Sequence, residues 1–372
     1  MKILMIGPFP GQINGMTLAN KMVSEGLIEN GNELEIVITN EDKESKSKSF
    51  GGLKQQGKFN LSKVLWSLKP ILLGCYKILF KKFDVIYITP AQSFIGFMKY
   101  VPFIKASKLS KTCCYLHFHG GFVRKMYDSV SESKKKVVSK YLNMSTGIIV
   151  LGHSLIKMFD NIVPKEKVFV CENGVQKEYL LSYDEFLAKQ DRMKESKSIN
   201  ILYLSNLMKT KGILELLDAC KIMKDKNINF KLNIAGAIEA DIESDFNEKL
   251  SQLKGVVEYH GLIKGKKKRD LLIKSDIFCL PTYYPNEGQP ISILEAMITG
   301  NAIVTTYQGG ICDIFKDKLN GCVCEAKSNS IANAILETTE SILTYSSNNY
   351  KIANDSYTDE MFVKKIEKIL SN

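Results

Sequence analysis

One pattern constrains this chain more than any other. Short β-branched apolar runs alternate with longer amphipathic stretches, and the series runs once and then begins again. The first series has runs at 2–6, 33–39, 84–89, 112–118, 146–151 and 167–171; the second has runs at 199–204, 230–235, 256–259, 276–280, 302–305 and 322–325. Strands separated by helix-length segments predict mostly parallel sheets with helices on both faces. At 372 residues the chain is too long for one ordinary core. Two Rossmann-like α/β/α domains are therefore expected, residues 1–177 and 199–356, joined by a charged linker at 178–198 and followed by a terminal helix at 357–372. Ligands of open parallel sheets bind beyond the carboxyl ends of the strands, so two such domains facing each other would hold a cleft between them.

Composition narrows the function classes. Hydrophobic residues make up 45% and charged residues 24%, both ordinary for a globular protein. A net charge of +11 fits nucleic acid, an anionic membrane or anionic small substrates, but lysines spread over a solvated surface explain it as simply. No known nucleic-acid module is recognisable, and no nucleic-acid partner is expected. The nine cysteines include no C-x-x-C pair. Reduced thiols in a cytoplasmic protein are expected, with no zinc site. Pro8 and Pro10 interrupt the apolar start, which does not fit a secretory leader, and no run of about 18 apolar residues exists to span a bilayer. The absence of G-x-G-x-x-G after the first strand argues against a nicotinamide dehydrogenase.

The segment 281–300, PTYYPNEGQPISILEAMITG, is the most informative. It reads as a loop after a strand, then a helix starting near Pro290 and stopped by Gly300. The helix start offers unpaired N–H groups and the positive end of a dipole, suited to a diphosphate. Glu287, just before it, could accept hydrogen bonds from sugar hydroxyls, and Glu295 could grip a ribose diol. Taken alone, the two are equally a helix-start acid and a surface residue. Glu295, however, stands among Ile291, Ile293, Leu294, Ala296 and Met297, where a carboxylate needs a partner.

This segment resembles the donor-binding motif of the retaining, two-domain GT-B glycosyltransferases of glycosyltransferase family 4. Further segments resemble that family in order. Residues 205–212, SNLMKTKG, are similar to its diphosphate-contacting turn: Lys211 matches the usual lysine, whereas Asn206 replaces the usual arginine. Gly309-Gly310-Ile311 and Asn320-Gly321 resemble two later landmarks. GQINGMT at 11–17, containing Gly15, resembles the glycine-bearing first loop, and HFHGG at 117–121 resembles the segment carrying the histidine near the donor sugar.

The resemblance implies a GT-B fold and a terminal helix packed back on the N-terminal domain. It implies metal-independent, cofactor-free transfer of a sugar from a nucleotide sugar, with UDP as the leaving group, to a glycan or polyprenyl-linked acceptor in cell-surface polysaccharide assembly. His119 and Glu287 take the catalytic roles. Gly15, Asn206, Lys211, Gly288, Gln289, Pro290, Ile291 and Glu295 bind the donor. A nucleotide-sugar epimerase and a non-catalytic glycosyltransferase-like partner are the alternatives.

Other segments read more simply. His117 and His119 could form an H-x-H metal pair, but no third ligand is evident, and none is expected. His153 and His260 read as structural. Residues 41–60 read as a mobile loop, and the basic run 265–269, GKKKR, as a solvated helix face. Residues 61–82 form an apolar helix interspersed with lysines, explained mostly by core packing. Contact with an anionic membrane at the inner face of the cell is the minority reading for it.

Overall fold

A computed structural model describes residues 1–9, 15–40 and 61–372, without the side chains of 61–67. The expected mobile loop at 41–60 and most of the glycine loop at 11–17 lie outside the described residues. The chain divides into two compact units: Met1–Gly174 with Asp359–Asn372, and Val175–Thr358.

The first unit holds β1 (Lys2–Gly7), β2 (Glu33–Ile38), β3 (Val85–Ile88), β4 (Cys113–Phe118), β5 (Gly147–Val150) and β6 (Val168–Val170), in the order β2-β1-β3-β4-β5-β6. The second holds β7 (Ile199–Leu204), β8 (Phe230–Ala235), β9 (Val257–Tyr259), β10 (Ile277–Leu280), β11 (Ala302–Thr305) and β12 (Gly321–Val323), in the order β12-β11-β10-β7-β8-β9. Every pairing in both sheets is parallel. Sheets covered on both faces need strands that are apolar on both sides, not alternating. β1, β3, β5, β10 and β11 meet that need, with Ile3–Ile6, Ile148–Val150 and Ile277–Leu280 fully excluded from water.

The terminal helix Asp359–Leu370 packs on helix Gly15–Glu29. Phe362, Val363 and Ile366 share a core with Ile3, Ala19 and Val23. Gly26 permits the approach, because a Cβ there would meet Val363 Cγ2 at 2.4 Å. Glu367 accepts hydrogen bonds from Asn30 and Asn32 at 2.9 and 2.6 Å.

The segment 178–198, expected as a linker, contains helix Tyr183–Glu195 and belongs to the second unit. Ser182 and Glu185 close a reciprocal capping box at its start. Phe186 stacks on Tyr350 at 4.0 Å, and Lys189, fully buried, donates to Leu272 O, Thr299 O and Asn301 Oδ1. The chain instead passes between units at 174/175 and 358/359.

In each sheet the direction of strand addition reverses once, between β1 and β3 and between β7 and β10. Such switch points are where open α/β sheets bind ligands.

Candidate functional site

At the second unit's switch point, the loop after β7 meets the loop after β10. Tyr283 N–H donates to Thr210 O at 2.8 Å. Gly212, at φ +75°, ends the short 3-10 turn Lys209–Lys211, and a Cβ on it would lie 2.2 Å from Pro281 O. Only glycine combines that conformation with that approach. It brings Lys211 against the β10 loop, where its ammonium donates to Glu287 Oε2 at 2.6 Å and sits 5.0 Å from the Tyr284 ring centroid. Thr282 Oγ1 donates to the same carboxylate oxygen at 2.9 Å. Glu287 is 6% exposed.

The loop after β11 closes on the same place. Gly309 has φ +57°, and a Cβ on it would lie 2.1 Å from Glu287 O. Gly310 N–H donates to Gly288 O at 2.8 Å. Pro290 caps helix Ile291–Ile298 without a side-chain hydrogen bond, so the first-turn N–H groups receive nothing from the cap side chain. Gly288, Gln289 and Ile291 are buried around this start. The helix stops in a Schellman motif: Gly300 at φ +68° donates to Met297 O, and Asn301 donates to Ala296 O.

Glu295 is 1% exposed and meets its requirement for a partner through Lys268, whose ammonium lies 2.6 Å from Oε1. Lys268 also stands 4.6 Å from the Tyr179 ring centroid. Burial raises the Glu295 pKa above the ordinary 4.5; Lys268 opposes the rise and Glu178 adds to it. The solvated-face reading of 265–269 is thereby corrected. Lys268 is committed to Glu295, and Arg269 donates to Glu185 Oε1 at 2.7 Å. Asn206 follows β7 with its side chain exposed.

His119 and Gly15 belong to the first unit, at the carboxyl ends of β4 and β1. The His117 and His119 rings lie 4.0 Å apart. His117 is fully buried, with Nδ1 2.6 Å from Tyr87 Oη. Burial lowers the His119 pKa to about 4, with Asn173 opposing the fall, and holds that of His117 well below 6.5. Both rings are neutral at neutral pH. Among the described residues, no three His, Cys, Asp or Glu side chains cluster as a metal site. Gly15 is the exposed first residue of helix Gly15–Glu29. His260 Nε2 bonds Asn233 Oδ1 at 2.8 Å, on the far side of β7 from the switch point.

Three contributors escaped the sequence reading. Thr282 and Lys268 serve the two carboxylates. Asn20, fully buried at the first unit's switch point, donates to Pro8 O and Thr89 Oγ1 at 2.8 Å each, where Gly7 leaves no room for a Cβ. Gly7 directly ending a strand was a readable sign of close approach; the partners of Lys268 and Thr282 were not.

Residues 184–354 match the model of the family described as glycosyl transferases group 1. An uncharacterised glycosyltransferase of Methanocaldococcus jannaschii is 26% identical over 356 residues, covering 86% of this chain and 84% of that protein. The UDP-Gal:alpha-D-GlcNAc-diphosphoundecaprenol alpha-1,3-galactosyltransferase of Escherichia coli is 25% identical over 318 residues, covering 80% and 77%. The crystal structure of Anabaena HepE with UDP and glucose superposes over 100% of both chains with a TM-score of 0.71 at 17% identity. The fold is the GT-B fold, two Rossmann-like α/β units, and most of the second unit is similar to the group 1 glycosyl transferase family.

Proposed function

We propose that this chain transfers a sugar, with retention of anomeric configuration and without a metal, from a UDP-sugar to a glycan or polyprenyl-linked glycan in cell-surface polysaccharide assembly. The observation that carries the proposal is the meeting of Lys211, Glu287 and the start of helix Ile291–Ile298 at one switch point. Breaking a sugar–diphosphate bond leaves negative charge on the diphosphate and positive charge on the sugar, and each needs a preorganised counterpart. Lys211 and the first-turn N–H groups meet the diphosphate. Glu287, released from Lys211 as the donor enters, takes the sugar hydroxyls, and Glu295 takes the ribose diol. Gly288, Gln289, Pro290 and Ile291 shape the helix start around the donor, Asn206 and Gly15 border it, and His119, held neutral, positions the sugar without adding like charge to the forming cation. The relatives that name UDP or a lipid diphosphate support this choice of donor and acceptor.

Calorimetric titration with UDP, ADP, GDP and dTDP in the presence of chelator tests the proposal. Binding of UDP above the others, lost in Glu295→Ala, is the expected result. Binding of no nucleoside diphosphate by folded protein would exclude the donor site.

A further inference from the structure

Glu295 has one partner and one open oxygen. Lys268 Nζ lies 2.6 Å from Oε1, and among the described residues nothing donates to Oε2. Both groups are enclosed: the Glu295 side chain is 1% exposed and that of Lys268 15%. The ammonium is fixed from a second side by the ring of Tyr179, 4.6 Å away at the centroid and itself buried. Tyr179 ends the short 3-10 turn Lys177–Tyr179.

The sequence around Lys268 shows that its direction is particular. Helix Gly265–Lys274 carries it four residues before Leu272, which is fully buried, so the two share the inward face. Lys266 and Lys267, just before it, are exposed. The first turn of a helix is the positive end of its dipole and disfavours a cation. The helix alone therefore gives Lys268 no reason to be there, and its contact with Glu295 does.

The chemistry of the pair follows from its geometry. Burial favours the neutral acid at Glu295, and Lys268 opposes it. A protonated carboxyl carries a hydrogen on one oxygen, whereas an ionised one accepts on both. A vicinal diol presents two hydroxyl donors. With one lone pair of Oε1 given to the ammonium and Oε2 open, the carboxylate can accept both at once. Glu295 also stands four residues beyond Ile291, about 6 Å along the axis from the helix start. A sugar lacking one hydroxyl would leave a buried acceptor unpaired, and sites built to bond a hydroxyl reject such analogues strongly.

We infer that Lys268 is a positioning residue for the nucleoside end of the donor: it holds Glu295 as a double acceptor and so makes the site select ribose over 2′-deoxyribose. The inference rests on the donor reading above and deepens it. Deoxynucleotide sugars are excluded by one hydroxyl, whatever their base.

Calorimetric titration of the full chain with UDP and with 2′-deoxy-UDP, ligands that differ by that hydroxyl, tests it. The quantity read is the ratio of the two affinities. Partial unfolding of a variant weakens both ligands by the same factor and leaves the ratio unchanged. Wild type should favour UDP about tenfold or more. Lys268→Met should retain a preference of about threefold or less, and Glu295→Gln the same. The double variant should show the ratio of Glu295→Gln alone, because Lys268 acts only through that carboxylate. Arg269→Met, which breaks the neighbouring pair with Glu185 instead, should keep the wild-type ratio. A Lys268→Met protein that keeps the wild-type ratio or binds neither ligand would overturn the inference, as would an equal loss in Arg269→Met or a further loss in the double variant. Equal wild-type affinity for the two ligands would also overturn it, while leaving the donor site standing. No binding of UDP by folded wild type would overturn the donor reading itself, and the inference with it.

Discussion

The ammonium of Lys268 lies 2.6 Å from Oε1 of Glu295, a carboxylate that is 1% exposed. Burial lifts the Glu295 pKa above 4.5, with Glu178 adding to the lift and Lys268 opposing it. A raised acid pKa fixes the sign: stability is full below the ordinary value and is lost as pH rises through the folded value. Lys268→Met removes the attraction that limits this loss. The variant should lose about 3 kcal/mol near pH 8, because it strands a buried charge, and recover much of that as Glu295 protonates on acidification. Adding Glu295→Gln should restore stability at both pH values. Denaturant unfolding across the pH range checks this; a loss independent of pH would contradict it.

The His119 imidazole is expected to stay neutral through the physiological range. Its folded pKa of about 4 lies below the ordinary 6.5, so the fold favours the neutral ring. That contribution is complete above 6.5 and is lost as pH falls through about 4. Its ring lies 4.0 Å from that of His117, which in turn meets the Tyr87 hydroxyl and the Phe362 ring, and Asn173 opposes the fall in its pKa. Proton magnetic resonance of the ring hydrogens should show no titration above about pH 5.5. A midpoint near 6.5 for His119 would show a solvated ring instead.

Gly212 and Gly255 both have positive φ, at +75° and +87°, but only Gly212 is crowded. An alanine at 255 meets nothing within 4 Å and should cost about 1 kcal/mol from its backbone alone. An alanine at 212 meets Pro281 O at 2.2 Å and must separate the β7 and β10 loops. Urea unfolding should show a loss of about 2 kcal/mol or more for Gly212→Ala, with weakened UDP binding, whereas Gly255→Ala binds UDP normally. Equal behaviour of the two variants would mean that the loop contact does not hold the site.

The twelve strands among the described residues were legible in the sequence: the central ones, such as β3, β5, β10 and β11, because parallel strands buried on both faces must be continuous apolar runs, and the half-exposed ones, such as β2, β6 and β9, by their place in the alternation with helices. The helix stop at Gly300 was legible for the same local reason. What failed was of two kinds. The helix Tyr183–Glu195 was readable from Ser182 and Glu185 three positions apart, but its charged composition suggested a linker. The Lys268–Glu295 pair was not readable, since it joins residues 27 apart through the packing of two helices, and neighbouring lysines in the same run face water. The exposure of Leu72, Tyr76 and Phe80 on helix Leu61–Phe80 was equally hidden: apolar spacing tells that a face exists, not what covers it.

The donor site proposed above assigns Lys211, paired with Glu287 in this structure, to the diphosphate and not the nucleoside. Titration of wild type and Lys211→Met with UDP and with uridine tests this most directly. A charge-assisted hydrogen bond is worth about 1.5–3 kcal/mol, so the variant should bind UDP roughly tenfold to a hundredfold more weakly and uridine equally well. Unchanged UDP affinity, or an equal loss for uridine, would contradict the assignment of Lys211 to the donor diphosphate.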